Sequence, residues 1–451
     1  MKGHSDVLIG VQYGDEGKAR VIDNIAHEYD IIARFNGGPN AGHTIEVGDK
    51  RLALHQVPSG VFHPDMLLYV GSGCVLNLEK LLQELKEIKN NDLVLDERLF
   101  ISDQATVIQP HHILLDKITG KEIGTTANGI GPAYADRALR RDGTYLKNLR
   151  LGDVLDDPQL ARETIVGNYQ QTVARYQLSE NDIQDKAEHI IVAAHILQKA
   201  ICRNPLFLDG LVRRGKNVLF EGAQASMLDV VKGTVPYVTS SHTIAGSAYV
   251  GGDLSPQYHR KTIGVAKAIM SRVGNGPFVS EFGGATSEEY CAEEECGKTK
   301  HTREFEEHAY SVSELLQSGD LFKLGIALRM LGNEYGATTK RPRRMGMLDL
   351  VALAHNCRIN GVDELYLNKV DCLADFDRTF MKGIPLVEGY LLEGQEISYV
   401  PGTSKGNRNA QSIIKYYPHI KGDLSEIRNY FSLPAETQEL VKAIENLLIV
   451  M

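Results

Sequence analysis

The apolar run Val7-Leu8-Ile9 passes through Gly10-Val11-Gln12-Tyr13 into the glycine-rich turn Gly14-Asp15-Glu16-Gly17-Lys18. Glycines let backbone N–H groups turn toward an anion, and the helix N-terminus that follows adds partial positive charge. A lysine closing such a turn reaches a terminal phosphate. The spacing is not that of the usual phosphate loop. Gly10 stands seven residues before Gly17, and Ala19-Arg20 occupy the place where a hydroxyl side chain would hold Mg²⁺. Asp15, inside the turn, is therefore the candidate metal ligand.

Strand-like segments alternate with helical ones along the chain. Val7–Val11, Ile31–Phe35, Leu67–Val70, Val218–Glu221, Ile263–Ser271 and Glu364–Leu367 are apolar and β-favouring, while Leu78–Ile88, Ala187–Ile201 and Leu348–Asn356 carry helical patterns. Such alternation predicts an α/β fold: a mostly parallel central sheet flanked by helices, of the phosphate-loop nucleotide-binding kind, with large inserted helical and loop segments. In these sheets ligands collect at the carboxyl ends of the strands, where the glycine-rich turns fall. No repeat, linker or composition break marks a boundary, so one large domain over residues 1–451 is expected. Ser287–His308, dense in Glu, Lys and Thr, resembles an inserted solvated loop, and Leu433–Met451 reads as an amphipathic helix.

Charge and composition narrow the class. A chain of 451 residues with 43% hydrophobic and 24% charged residues suits a soluble globular protein. Its net charge of −9 argues against a general nucleic-acid or membrane-surface partner, so any phosphate-binding cations must be concentrated locally. No apolar run is long enough to span a bilayer. The opening Met1–Asp6 lacks a signal-peptide core, and the cysteines are mostly scattered. Together they predict a reduced, cytoplasmic setting.

Five further constellations carry chemistry. Asn36-Gly37-Gly38-Pro39-Asn40-Ala41-Gly42-His43-Thr44 follows a strand and offers close backbone approach, polar groups and a titratable ring suited to a developing oxyanion. Gly124–Pro132, followed by Arg140-Arg141, combines glycines, hydroxyls and cations, as phosphate sites do. Phe220–Gln224 and Pro236–Ser241 form a strand end and a hydroxyl-rich loop, in which Gln224 could read a base edge. Gly336–Arg344 gathers Lys340, Arg341, Arg343 and Arg344, whose guanidinium forks suit carboxylates and phosphates. Asn368-Lys369-Val370-Asp371 ends a strand with a carboxylate able to accept from both guanine N1–H and the exocyclic amine. Coupled to an earlier phosphate loop, it points to GTP. Taken singly, each also fits an ordinary surface turn or a solvated basic patch. Cys291, Cys296, His301 and His308 have spacings unlike usual zinc ligand pairs.

These motifs together make the chain resemble adenylosuccinate synthetases, in order, over roughly residues 5–375. The resemblance implies GTP-dependent joining of IMP to L-aspartate in purine biosynthesis, giving adenylosuccinate, GDP and phosphate through 6-phosphoryl-IMP. It implies catalytic roles for Asp15, Lys18, His43 and Gln224. GTP would be held by Gly14, Glu16, Gly17, Lys18, Gly42, His43, Thr44, Lys369 and Asp371. IMP would meet Asp15, Asn40, Thr126, Arg140, Gln224, Thr239, Val273 and Arg341, and aspartate would meet Thr338, Thr339, Arg341 and Arg343. Mg²⁺ would lie on Asp15 and Gly42. A homodimer is implied, with Arg140 completing the partner's site, and no nucleic-acid or membrane partner.

The chain departs from the family pattern at several places. Tyr13 replaces a Trp, Ala19-Arg20 replace Gly-Lys, and Ala127-Asn128 replace a Gly-Arg whose arginine helps hold aspartate. An atypical insertion is expected near residues 282–332, and a divergent or shortened C-terminal part over 376–451, lacking the usual loop over guanine. Two alternatives follow: a paralogue using another amine or purine nucleotide, or a non-catalytic GTP- or IMP-binding protein.

Overall fold

The computed structural model describes residues 2–40, 42–47, 50–120, 125–178, 183–295, 298–336, 340–424 and 426–450. Two units are built from interleaved segments. The first comprises Met1–Ile9, Gly17–Gln224 and Thr239–Ile263, and the second Gly10–Glu16, Ala225–Val238 and Gly264–Met451.

The strands that organise the sheet are β1 (Ser5–Gly10), β2 (Ile31–Arg34), β3 (Leu67–Val70), β4 (Leu99–Ser102), β5 (Ile201–Cys202), β6 (Val218–Ala225), β7 (His259–Lys267) and β8 (Glu364–Asn368). In the first unit they run in the order β5-β4-β3-β2-β6-β1, with β7 following β1. The pairs β5–β4, β4–β3, β3–β2 and β2–β6 are all parallel. Val7, Leu8 and Ile9 have no exposed surface, as a strand covered on both faces requires. The helix Leu78–Asn90 starts where the Asn77 side chain accepts the Lys80 N–H at 3.0 Å, and it buries Leu78, Leu81 and Ile88. The long turns after β2 and β6 thus emerge from a rigid, apolar sheet.

The second unit takes the end of β7, with β8 beside it. Met270–Arg272 pairs antiparallel with Arg344–Gly346, and Ile384–Leu392 pairs antiparallel with Gln411–Tyr417. Its core gathers Leu350, Leu353, Ile384, Leu386 and Tyr390. The C-terminal helix spans Ala435–Val450 and buries Leu440 and Ile444.

The structure corrects some boundaries. Ile263–Ser271 is two strands, ending at Lys267 and resuming at Met270, because Ala268 turns to donate its N–H to the Asn368 carbonyl at 2.8 Å. Both pieces are buried, so the apolar run conceals the break. Ala187–Ile201 is helical over Gln184–Ile196 and tightens to Ala200, after which Ile201 joins the sheet. Leu348–Asp349 is a short strand, and Asp349 caps the helix Leu350–Asn360. The stretch read as a solvated loop holds helices Gly284–Ala292 and Arg303–Ala309, and its Glu306 is fully buried against Arg329 and Tyr335. Opposite charges from a distant helix make that burial possible.

Candidate active site

In the second unit, the turn after β1 is shaped by its backbone. Gly14 has φ 95° and Asp15 φ 57°, a left-handed conformation that costs a non-glycine residue about 1 kcal/mol. Glu16 does not face outward: it is buried and accepts the Gly14 N–H at 2.7 Å. A Cβ on Gly10 would lie 2.1 Å from its carboxylate, so Gly10 is the space into which Glu16 folds. Asn368, at the end of β8, donates to the Glu16 carbonyl at 2.7 Å and ties the guanine-type motif to the phosphate-type turn.

The Asp15 side chain is 40% exposed, and its Oδ2 lies 2.8 Å from an Arg343 Nη. The other arm of Arg343 donates to Glu334 at 2.5 Å. Glu334 is nearly fully buried and also receives Lys267 at 3.1 Å and Lys369 at 2.7 Å. Burial alone would raise the Glu334 pKa, but Lys267, Arg343 and Lys369 overcome it and hold the carboxyl well below the usual range. Sequence reading assigned no role to Glu334 or Lys267. The only signal was the position of Glu334 just before the basic loop. Asp371 and Val273 are exposed, and Arg341 pairs with Glu294. Arg344, counted among the loop cations, is buried against Glu281 at 2.8 Å and forms part of the frame instead.

In the first unit, His43 opens the strand His43–Val47, and its Nδ1 pairs with Glu221 on β6. Glu221 also accepts the Ser59 N–H at 2.8 Å and the Ser59 hydroxyl at 2.6 Å. Burial opposes ionisation of Glu221, yet His43, Arg34 and Ser59 hold its pKa down to about 2, so it remains a carboxylate. Burial likewise disfavours charge on His43 and holds its pKa below the ordinary value, although the Glu221 charge opposes that effect. His43 Nε2 is buried with no hydrogen-bond partner among the described residues. Glu221 lay inside a motif already singled out, but its pairing with His43 was not legible.

Gln224, at the end of β6, donates to Asn40 Oδ1 at 3.0 Å, bringing together two residues expected at IMP. Gly37 has φ 77°, and a Cβ there would meet the Ala223 side chain at 2.6 Å, so only glycine allows this approach. Lys18 opens the helix Lys18–Ile25 and is buried, while Gly17, at φ 88°, sits at its N-cap. Gly42 and Thr239 are partly exposed. Thr126 is exposed and accepts from Asn128, whose Oδ1 takes Lys80 Nζ at 2.5 Å. Arg140 is exposed just beyond the helix Ile130–Leu139. Gly124, Cys296, Thr338, Thr339 and the side chain of Thr44 lie outside the described residues. Cys291 faces Arg329 and His301 faces Glu293, so each has a partner other than a metal.

The adenylosuccinate synthetase family model matches residues 7–451. The chain belongs to the adenylosuccinate synthetase family. The match runs through the C-terminal part, beyond the motifs that first suggested it. The chain is 49% identical over 387 residues to adenylosuccinate synthetase 2 of Cupriavidus pinatubonensis, covering 86% of this chain and 84% of that protein. It is 35% identical to the adenylosuccinate synthetase of Wolinella succinogenes, covering 98% and 95%. The fully ligated adenylosuccinate synthetase of Plasmodium falciparum matches with TM-score 0.82 and 30% identity over 99% of this chain and 95% of that one. The family's α/β architecture is therefore that of this chain. Among the described residues, no helix is long and apolar enough to cross a membrane.

Proposed function

We propose that Asp15, Lys18, His43 and Gln224 carry the reaction of this GTP-using ligase family: joining IMP to L-aspartate to give adenylosuccinate, GDP and phosphate. A purine carbonyl oxygen is a poor leaving group, so it is first phosphorylated. Asp15 takes the N1 proton, O6 attacks the γ-phosphorus, and the bond from that phosphorus to the β-phosphate oxygen breaks to release GDP. The aspartate amine then adds at C6, phosphate leaves with the C6–O6 bonding pair, and the amine loses a proton.

His43 is the observation that carries this reading. Its Nδ1 is held by an ionised Glu221, and the buried Nε2 is left for another group. The Glu221 charge favours the doubly protonated ring, which Nε2 needs in order to donate to a phosphoryl oxygen. Gln224, aligned by Asn40, is suited to an amide-like base edge. Gly14, Gly17, Gly42 and Lys18 would hold phosphates, with Thr44 beside them. Glu16, turned inward, would act by shaping the turn. Lys369 and Asp371 would read guanine. Thr126, Thr239, Val273 and Arg341 would complete the IMP contacts, and Thr338, Thr339, Arg341 and Arg343 would hold aspartate.

The Asp15 carboxylate and the Gly42 carbonyl are hard oxygen donors of the kind Mg²⁺ takes, so the residues present fit that metal. When bound, Mg²⁺ neutralises charge on the transferring phosphates. We place the enzyme in the cytoplasm as a homodimer, with Arg140 reaching the partner's nucleotide. The described cysteines are all free thiols, in keeping with a reducing compartment.

The test is a product assay with IMP, GTP, Mg²⁺ and a panel of amino acids, read by mass spectrometry. Adenylosuccinate should form with aspartate alone. Turnover confined to another amine would transfer the reading to a paralogue.

A further inference from the structure

The segment between Glu281 and Asn333 ends in contacts that none of the site roles above uses. Glu306, on the helix Arg303–Ala309, is fully buried. Its carboxylate receives Arg329 Nε at 3.0 Å, Arg329 Nη2 at 2.5 Å and the Tyr335 hydroxyl at 2.5 Å. The remaining arm of Arg329 donates to the Arg343 carbonyl at 2.9 Å. Tyr335 and Arg343 stand on opposite feet of the basic loop. Those feet are laced together: Gly336 N–H donates to the Arg341 carbonyl at 2.8 Å, and Arg343 N–H to the Glu334 carbonyl at 3.0 Å. Glu294, in the same segment, pairs with Arg341.

We propose that this segment is a brace for the basic loop, with Glu306 and Arg329 as positioning residues that fix Tyr335 and Arg343 relative to one another. A bidentate guanidinium–carboxylate pair has fixed angles, so it transmits position as well as charge. Glu306 cannot be satisfied by solvent, and it takes two Arg329 nitrogens and the Tyr335 hydroxyl at once. The pair is therefore held in register with both feet at once. The consequence is preorganisation of the loop's cations for a dicarboxylate amine. The brace rests on the reading that this loop takes aspartate.

Tyr335→Phe releases one foot while leaving the Glu306–Arg329 pair in place, and Glu306→Gln weakens both. For Tyr335→Phe, KM for aspartate should rise about tenfold, while KM for GTP and IMP stays within about twofold and kcat changes little. Trypsin cleavage after the exposed Lys340 in the ligand-free variant should quicken by a similar factor. Glu306→Gln should show the same pattern more strongly if it folds. A lowered melting temperature with unchanged aspartate KM and unchanged cleavage would reduce the contacts to simple stabilisation and overturn the brace. Faster cleavage in a protein that never consumes aspartate would keep the brace and refute the substrate reading instead.

Discussion

His43 and Glu221 show what a single ion pair can set. The pair leaves Nε2 as the ring's one uncommitted polar atom among the described residues, so the carboxylate fixes the ring's orientation and works against the burial that disfavours its charge. Glu221→Gln keeps the shape but removes the charge that favours a doubly protonated ring. It should lower kcat about 10- to 100-fold with smaller changes in KM, measured by steady-state formation of adenylosuccinate. Asp15→Asn should remove turnover while sparing GTP binding in equilibrium titration, and unchanged turnover would refute its role as base. Gly37→Ala places a Cβ 2.6 Å from Ala223 at φ 77° and should destabilise the chain by roughly 1–3 kcal/mol in thermal melts. Residue types and spacing made His43, Asp15 and Gly37 legible. Glu221 as an orienting partner was not, because 178 residues separate it from His43.

At the scale of elements, buried acids decide how helices and turns are held. Asp349 caps the helix Leu350–Asn360 by accepting the Ala352 N–H at 3.0 Å, and it takes the Tyr390 hydroxyl at 2.7 Å. Burial outweighs these bonds and pushes its pKa up from 3.8 to about 6. Between those pH values the folded chain keeps a proton that the unfolded chain has lost, so stability falls as pH rises through that window. Asp349→Asn retains the cap and avoids the buried charge. It should raise the melting temperature at pH 7–8, where the gain in stability is at most about 3 kcal/mol, and have little effect near pH 4. Strands β1, β3 and β8 were legible because apolar β-favouring runs end in turn residues. Leu99–Ser102 and Ile201–Cys202 were missed, since each is too short for its periodicity to stand out. The acidic segment read as solvated because Glu306 looks like its exposed neighbours until Arg329 folds onto it.

The proposed homodimer makes a prediction about the whole molecule. If Arg140 completes the partner's site, Asp15→Asn and Arg140→Ala chains should each be nearly inactive. Mixed and allowed to exchange, they should regain about a quarter of wild-type activity, since half of the pairs are mixed and each holds one intact site. No recovery in a mixture shown by sedimentation to be dimeric would place Arg140 within its own chain's site.

Read alone, the amino-acid order sets the strand-to-turn starts, the glycine positions and an inventory of side chains suited to phosphate, base and carboxylate groups. These depend on local backbone freedom and on chemistry carried by a few adjacent residues. Only the tertiary structure decided which charges meet: Glu221 with His43, Glu334 with Lys267, Arg343 and Lys369, and Glu306 with Arg329. Burial makes such pairings obligatory, because a lone charge away from water is too costly to keep. Their identities follow from which distant strands and helices the packing brings together.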